Sequence, residues 1–196
     1  MDVNRRNDII NAFIKLCSRK GLDNTTMQDV AKEVGISVGT IYLEFRNKDE
    51  LIEAFEKNLA QQFETGMTRI INQSMPAPQL LHDLLVGNIE TMNRQIRENQ
   101  AIKEFMMQDF VKHINKNIKV RRLEMESRWT EKIKLILKQG VEEGSFIIDD
   151  IPCTARMLFF AFGAFAGPIA LEREYDEVIQ DAESMFALLL RAIEPK

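Results

Sequence analysis

Cysteine and histidine are scarce in this chain of 196 residues, with two of each. Cys17 and Cys153 cannot build a disulfide framework, and they read as buried, reduced thiols of a cytosolic protein. His82 and His113 have no second ligand at metal spacing, so each reads as a surface histidine or one satisfied in the core. No metal and no cofactor is called for. The phosphate loop GxxxxGKS/T, the zinc motif HExxH, the redox motif CxxC and the nucleophile elbow GxSxG are all missing. Long hydrophobic runs are missing too. The longest nearly apolar stretch, Met157 to Leu171, falls short of the ~20 residues a membrane span needs and contains Gly163, Gly167 and Pro168. No membrane partner is expected. The opening MDVNRRNDII has no signal-peptide apolar core. There is no internal repeat, no low-complexity segment and no β signal beyond Phe146-Ile147-Ile148.

What remains is helical periodicity with ordinary globular composition, 45% apolar. The net charge of −4 argues against a chain that binds polyanions all over. Its distribution is uneven. Residues 1–48 hold Arg5, Arg6, Lys15, Arg19, Lys20, Lys32, Arg46 and Lys48 against six acids, for a net +2; the remaining 18 basic and 24 acidic residues give −6. A mildly basic end on an acidic body suits one nucleic-acid-facing surface.

The stretch Thr25 to Lys48 organises the chain. Thr26 is placed to cap a helix, with Asp29 three residues on as a weaker form of the capping box. Met27, Val30, Ala31 and Val34 fall at i, i+3, i+4, i+7, one apolar helix face. Gly35 supplies the positive φ that ends a helix. Ser37 then caps a second short helix, about 38–45, with Ile41 and Phe45 inward. Two short helices about a glycine turn make a helix-turn-helix, whose second helix enters the DNA major groove.

The run Gly35-Ile36-Ser37-x-Gly39-Thr40-Ile41-Tyr42-x-x-Phe45-x-x-Lys48 resembles the tetracycline-repressor (TetR) family of bacterial regulators. The resemblance begins near Arg5 with Ile9, Ile10, Ala12, Phe13 and Gly21, and runs to Leu51, about a quarter of the chain. It implies that Thr25, Thr26, Ser37, Tyr42 and Lys48 hold phosphates while Val38, Gly39 and Thr40 face base edges. Arg5 and Arg6 begin the first helix, where basic residues do not suit the helix dipole, and Arg5 reads as a phosphate contact. Glu44 departs from the family's usual neutral or basic residue. A carboxylate repels phosphates, so Glu44 is expected to accept a hydrogen bond from a cytosine amine instead.

The remainder reads as helices. A first helix covers about 4–19 and a fourth about 47–73, with Asn47 as its cap and Leu51, Phe55, Leu59, Phe63 and Met67 on one face. Pro76 and Pro78 make the clearest break. A fifth helix follows at about 79–98, a sixth at 101–115, a seventh at 118–143, an eighth running to about 173 with a kink at Pro168, and a ninth at 176–193. The middle of the chain is rich in Met and aromatics, which adapt to varied apolar shapes. Met92, Phe105, Phe110, Met125 and Trp129 are therefore expected to line an effector pocket, with Asn88, Gln108 and Asp109 placed to orient the ligand. The ninth helix has two apolar stripes, one through Val178, Ala182, Met185 and Leu189 and another through Ile179, Phe186 and Leu190. A second stripe implies a partner surface. Phe162, Gly163, Ala166, Met185 and Leu189 are the expected dimer seam, and the family resemblance implies dimerisation through the same two helices.

The sequence thus predicts an all-α, cytoplasmic homodimer with a helix-turn-helix domain at 1–48 and an effector-binding and dimerisation domain at 49–196. It is read as a non-enzymatic regulator, a repressor released from double-stranded operator DNA by a small, largely apolar effector. The alternatives are a regulator without such a ligand, or an all-α carrier or enzyme for a hydrophobic molecule.

Overall fold

A computed structural model of the chain describes residues 3–99, 102–103 and 118–195. Among them there are helices and no strands. In chain order these are α1 (Val3–Lys20), α2 (Met27–Val34), α3 (Val38–Glu44), α4 (Lys48–Ile71), α5 (Ala77–His82), a π turn (Asp83–Gly87), α6 (Asn88–Glu98), α7 (Ile118–Glu142), α8 (Ile151–Gly163), α9 (Pro168–Leu171) and α10 (Tyr175–Ile193). The expected sixth helix, at 101–115, lies outside the described residues apart from 102–103, and with it Phe105, Gln108, Asp109, Phe110 and His113.

Two compact units divide the chain, Met1–Glu64 with Gln95–Asp109, and Thr65–Arg94 with Phe110–Lys196. In the first, Ile9, Phe13, Ile41, Phe45 and Leu51 are fully buried and form the centre of one core. Leu51, Phe55 and Leu59 of α4 belong to that same core, which draws the beginning of α4 into the unit with α1, α2 and α3. The local signals work as the sequence suggests. The Thr26 hydroxyl accepts from the Asp29 amide at 3.2 Å, and the Asp29 carboxylate accepts from the Thr26 amide at 2.9 Å. Gly35 ends α2 at φ +76°, and the next amide, Ile36, donates back to the Ala31 carbonyl at 3.0 Å. That left-handed residue reverses the chain tightly enough for α3 to start three residues later.

The second unit has its own core, with Leu80, Leu81 and Leu84 on one side of the chain and Ile133, Ile136, Leu137, Phe162 and Val178 from later helices. Pro76 has no side chain that can cap α5. Glu143 does so instead, 66 residues beyond Ala77: its carboxylate accepts the Ala77 amide at 2.9 Å, and the Gln139 side chain at 2.6 Å. These bonds hold the Glu143 carboxyl below the usual carboxylate range. The Gly140 carbonyl accepts the amides of both Ser145 and Phe146, and the Phe146 ring lies where a β carbon on Gly140 would stand. Asn93, 1% exposed, donates its amide to the carbonyls of Ile89 and Phe165 at 3.2 and 3.0 Å.

Two elements differ from the sequence reading. The fifth helix is expected as one regular helix, whereas its second turn is wound as a π turn. The eighth ends at Gly163, and α9 begins at Pro168 as a separate element. Proline has no amide to donate to the residue four back, so a regular helix cannot pass through 164–168 unbent. The amides of Phe165 and Ala166 bond instead to carbonyls three residues back, at 3.0 and 3.3 Å.

Candidate nucleic-acid interface

α3 is seven residues long and is anchored by Ile41, fully buried, and by Phe45 immediately after its last turn. Its start is fixed by Ser37, whose Oγ accepts the Thr40 amide at 3.1 Å and lies 2.8 Å from the Thr40 hydroxyl. Phe45 leaves helical geometry at φ −139°, which turns its ring back into the core. The opposite side of α3 carries Gly39, Tyr42 and Leu43, all exposed. A β carbon on Gly39 would meet only the Ser37 Oγ, at 3.7 Å. Packing therefore does not require glycine there, and the bare backbone is open to a close approach from outside.

Glu44 corrects the sequence reading. It is 8% exposed, and its Oε2 has no hydrogen-bond partner. It lies three residues from Ile41 and one from Phe45, so the 3.6-residue period turns it to the inner side. A buried carboxylate cannot meet a cytosine amine without leaving its place. Leu43, two residues from Ile41, takes the outward position at 83% exposure. The sequence reading missed Leu43 because the charge at 44 outweighed the period of the helix.

Thr25 is also turned inward. It is 1% exposed, and its hydroxyl donates to the Gly21 carbonyl at 2.8 Å. That bond closes the turn between α1 and α2, so its side chain is not presented to a phosphate. Lys48 reaches the same turn: its Nζ donates to the carbonyls of Leu22 and Asp23 at 2.6 and 3.3 Å. An ammonium has three protons, which leaves one for another partner. Thr26, Ser37 and Tyr42 are exposed, Val38 and Thr40 half-buried. Arg5 is exposed at the start of α1, as a phosphate contact requires. Arg46, just past α3, is exposed as well and was not singled out from the sequence.

Basic residues on α1 are partly matched by α2. Lys15 pairs with Glu33 at 2.6 Å, Arg19 lies 3.7 Å from the same carboxylate, and Lys20 pairs with Asp29. Lys20 beside it, together with the Thr26 hydroxyl, holds the Asp29 carboxyl far below its ordinary range. Lys15 does the same, less strongly, for Glu33.

The other expected sites are in the second unit. Met92 is half-buried, Trp129 packs at the margin of the core, and Met125 is largely exposed. Phe105 and Phe110 lie outside the described residues. Phe162 is a second correction. It is buried in its own chain's core, with ring centres 6.0 Å from Phe165 and 6.5 Å from Phe186, and so it does not face a partner. Ala166, Met185 and Leu189 pack partly against that core, and Gly163 is exposed. Both stripes of α10 lean on the same core: Val178 and Ala182 of one and Phe186 of the other are buried in it. The outward apolar residues are Met157 and Phe160 on α8 and Leu188 on α10, the last 64% exposed. His82 is satisfied by Glu183 at 3.0 Å and by an edge contact to Phe186. Among the described residues no group of His, Cys, Asp and Glu could hold a metal ion, and no helix is long and apolar enough to cross a membrane.

Residues 9–55 match the family model of bacterial regulatory proteins, tetR family. The chain is similar to an uncharacterized HTH-type transcriptional regulator of Haemophilus influenzae, 37% identical over 68 residues, 35% of this chain. It is 29% identical over 83 residues, 42% of its length, to the HTH-type nicotine-responsive transcriptional repressor HdnoR of Paenarthrobacter nicotinovorans. These matches span 36% and 43% of the two relatives' own lengths. A crystal structure of a transcriptional regulator from Cytophaga hutchinsonii shares the fold, with a TM-score of 0.76, 22% identity, and 95% of this chain and 97% of that one covered. The helix-turn-helix built from Thr26, Gly35 and Ser37 lies within the matched residues, and over this segment, about a quarter of the chain, it is similar to the tetR family of bacterial regulatory proteins.

Proposed function

We propose that this chain is a transcriptional repressor that binds double-stranded operator DNA as a homodimer. The observation that carries this reading is the exposed face of α3, pinned from behind by Ile41 and Phe45 and presented outward through Gly39, Tyr42 and Leu43. A rigid short helix with an open outer face is what major-groove docking needs. Residues 1–48 form the DNA-binding part, with Ser37, Tyr42, Thr26 and Arg5 toward phosphates and Val38, Gly39 and Thr40 toward base edges. Residues 49–196 serve assembly and effector binding. The outward apolar side chains Met157, Phe160 and Leu188 support a second copy as the partner of α8 and α10. Two recognition helices would then meet half-sites about one DNA turn apart.

A small, largely apolar effector releases the operator. HdnoR, whose name describes a nicotine-responsive repressor, supports this for a relative. The half-buried Met92 and Trp129, with Phe105, Phe110 and Met125, are the residues proposed for it. Operator and effector then weaken each other by a coupling of about 1–3 kcal/mol, or roughly 5–150-fold. The decisive experiment is selection of bound duplexes from a random library by the full chain, followed by titration at several salt concentrations. Enrichment of a two-fold symmetric site with steeply salt-dependent affinity is the expected result. Binding that is equally weak on every duplex would defeat the reading.

A further inference from the structure

We infer that Leu43 reads the C5-methyl group of a thymine in the major groove, and so fixes a T at one position of each half-site. The inference rests on the operator-binding reading above and specifies its chemistry. In the major groove, guanine is read by arginine or lysine, adenine by asparagine or glutamine, cytosine by a carboxylate, and the thymine methyl by an apolar side chain. α3, with the sequence Val38-Gly39-Thr40-Ile41-Tyr42-Leu43-Glu44, contains no arginine, lysine, asparagine or glutamine. Its single carboxylate, Glu44, is buried behind the helix. The outward face therefore offers hydroxyls from Thr40 and Tyr42 and one large apolar group. Leu43 is that group, and at 83% exposure it is the most exposed large hydrophobic side chain among the described residues. Arg46, three residues on and past the end of α3, is exposed as well and offers charge for a phosphate. A single exposed leucine on an arbitrary surface needs no explanation. On the open side of a groove-docking helix that lacks every bidentate reader, it is the large apolar side chain that stands fully outward, where Val38 is half-buried.

The test uses the full chain and the operator obtained by selection. Each thymine of one half-site is replaced in turn by deoxyuridine, which removes the methyl and nothing else. For the wild type, one thymine position should lose about fourfold in affinity, as expected for one methyl withdrawn from an apolar contact. Leu43→Ala should bind the thymine and deoxyuridine duplexes alike at that position, and Leu43→Met should keep the difference. Circular dichroism of both variants should match the wild type, since the side chain is exposed. An operator with no position sensitive to deoxyuridine overturns the inference, as does a penalty that persists unchanged in Leu43→Ala. In both cases the enriched operator leaves the regulator reading standing. Failure to enrich any operator defeats that reading, and this inference with it.

Discussion

The guanidinium carbon of Arg6 lies 4.0 Å from the centre of the Phe45 ring, while its Nη1 donates to the Glu44 carbonyl at 2.7 Å. One side chain of α1 thus closes the end of the recognition helix. It satisfies a terminal carbonyl and covers the aromatic anchor. Arg6→Ala should cost about 1–2 kcal/mol of stability and weaken binding to all duplexes by a similar factor. Arg6→Lys should recover little, because the planar stack is lost. Urea unfolding and binding titrations check this, and a variant as stable as the wild type would show that the contact holds nothing.

Lys48 separates two roles through its salt response. With Nζ on the Leu22 and Asp23 carbonyls, Lys48→Met should lower stability by about 1 kcal/mol and reduce affinity while leaving the salt slope unaltered. A phosphate contact made with the third proton would instead flatten the slope by about one ion. Binding measured from low to moderate salt distinguishes them.

Acid should loosen the start of α5. The Glu143 carboxyl titrates below its ordinary range because the Ala77 amide and Gln139 favour its charged form. A depressed carboxylate stabilises the fold above the usual value near 4 and loses that contribution as pH falls through the folded value. Glu143→Gln should therefore lower the thermal midpoint at pH 7, and the gap to wild type should narrow as pH falls below the ordinary carboxylate range. A gap that stays constant below that range would mean charge plays no part.

Leu188 and Phe162 predict opposite phenotypes. Leu188→Glu should sediment as a monomer with a thermal midpoint close to wild type, and bind the operator poorly. Phe162→Ala opens the chain's own core and should cost about 3–5 kcal/mol. If Leu188→Glu still sediments as a dimer, this surface is not the seam.

The helix-turn-helix was legible because its signals are local. A hydroxyl cap at Thr26, a glycine at 35 and a second cap at Ser37 each act within a few residues. The inward positions Ile41 and Phe45 follow from period alone. The orientation of Glu44 follows from the same period, yet its charge argued for solvent, and burial won because helix phase is set by the two anchors beside it. Thr25 and Lys48 turn to carbonyls of a loop whose path depends on how α1 meets α2. Phe162 and Leu188 could not be told apart by hydrophobicity. Which of them faces in depends on packing between α8 and α10, which no window of sequence reports. The Glu143 cap, supplied from 66 residues away, had no local signal at all.

Gly140 and Leu43 give this molecule two genetically separable ways to fail. The Phe146 ring occupies the space of its absent side chain, so every substitution there forces the ring out of the core. Such a chain should be lost before it can pair as proposed, so a cell carrying both alleles should keep its regulation and the defect should be recessive. In the proposed homodimer a Leu43 change should leave folding and pairing intact and yield mixed dimers with one blind half. That defect should be dominant. A screen for loss of regulation, scored in merodiploids, would sort substitutions along the chain into these two classes without any binding measurement.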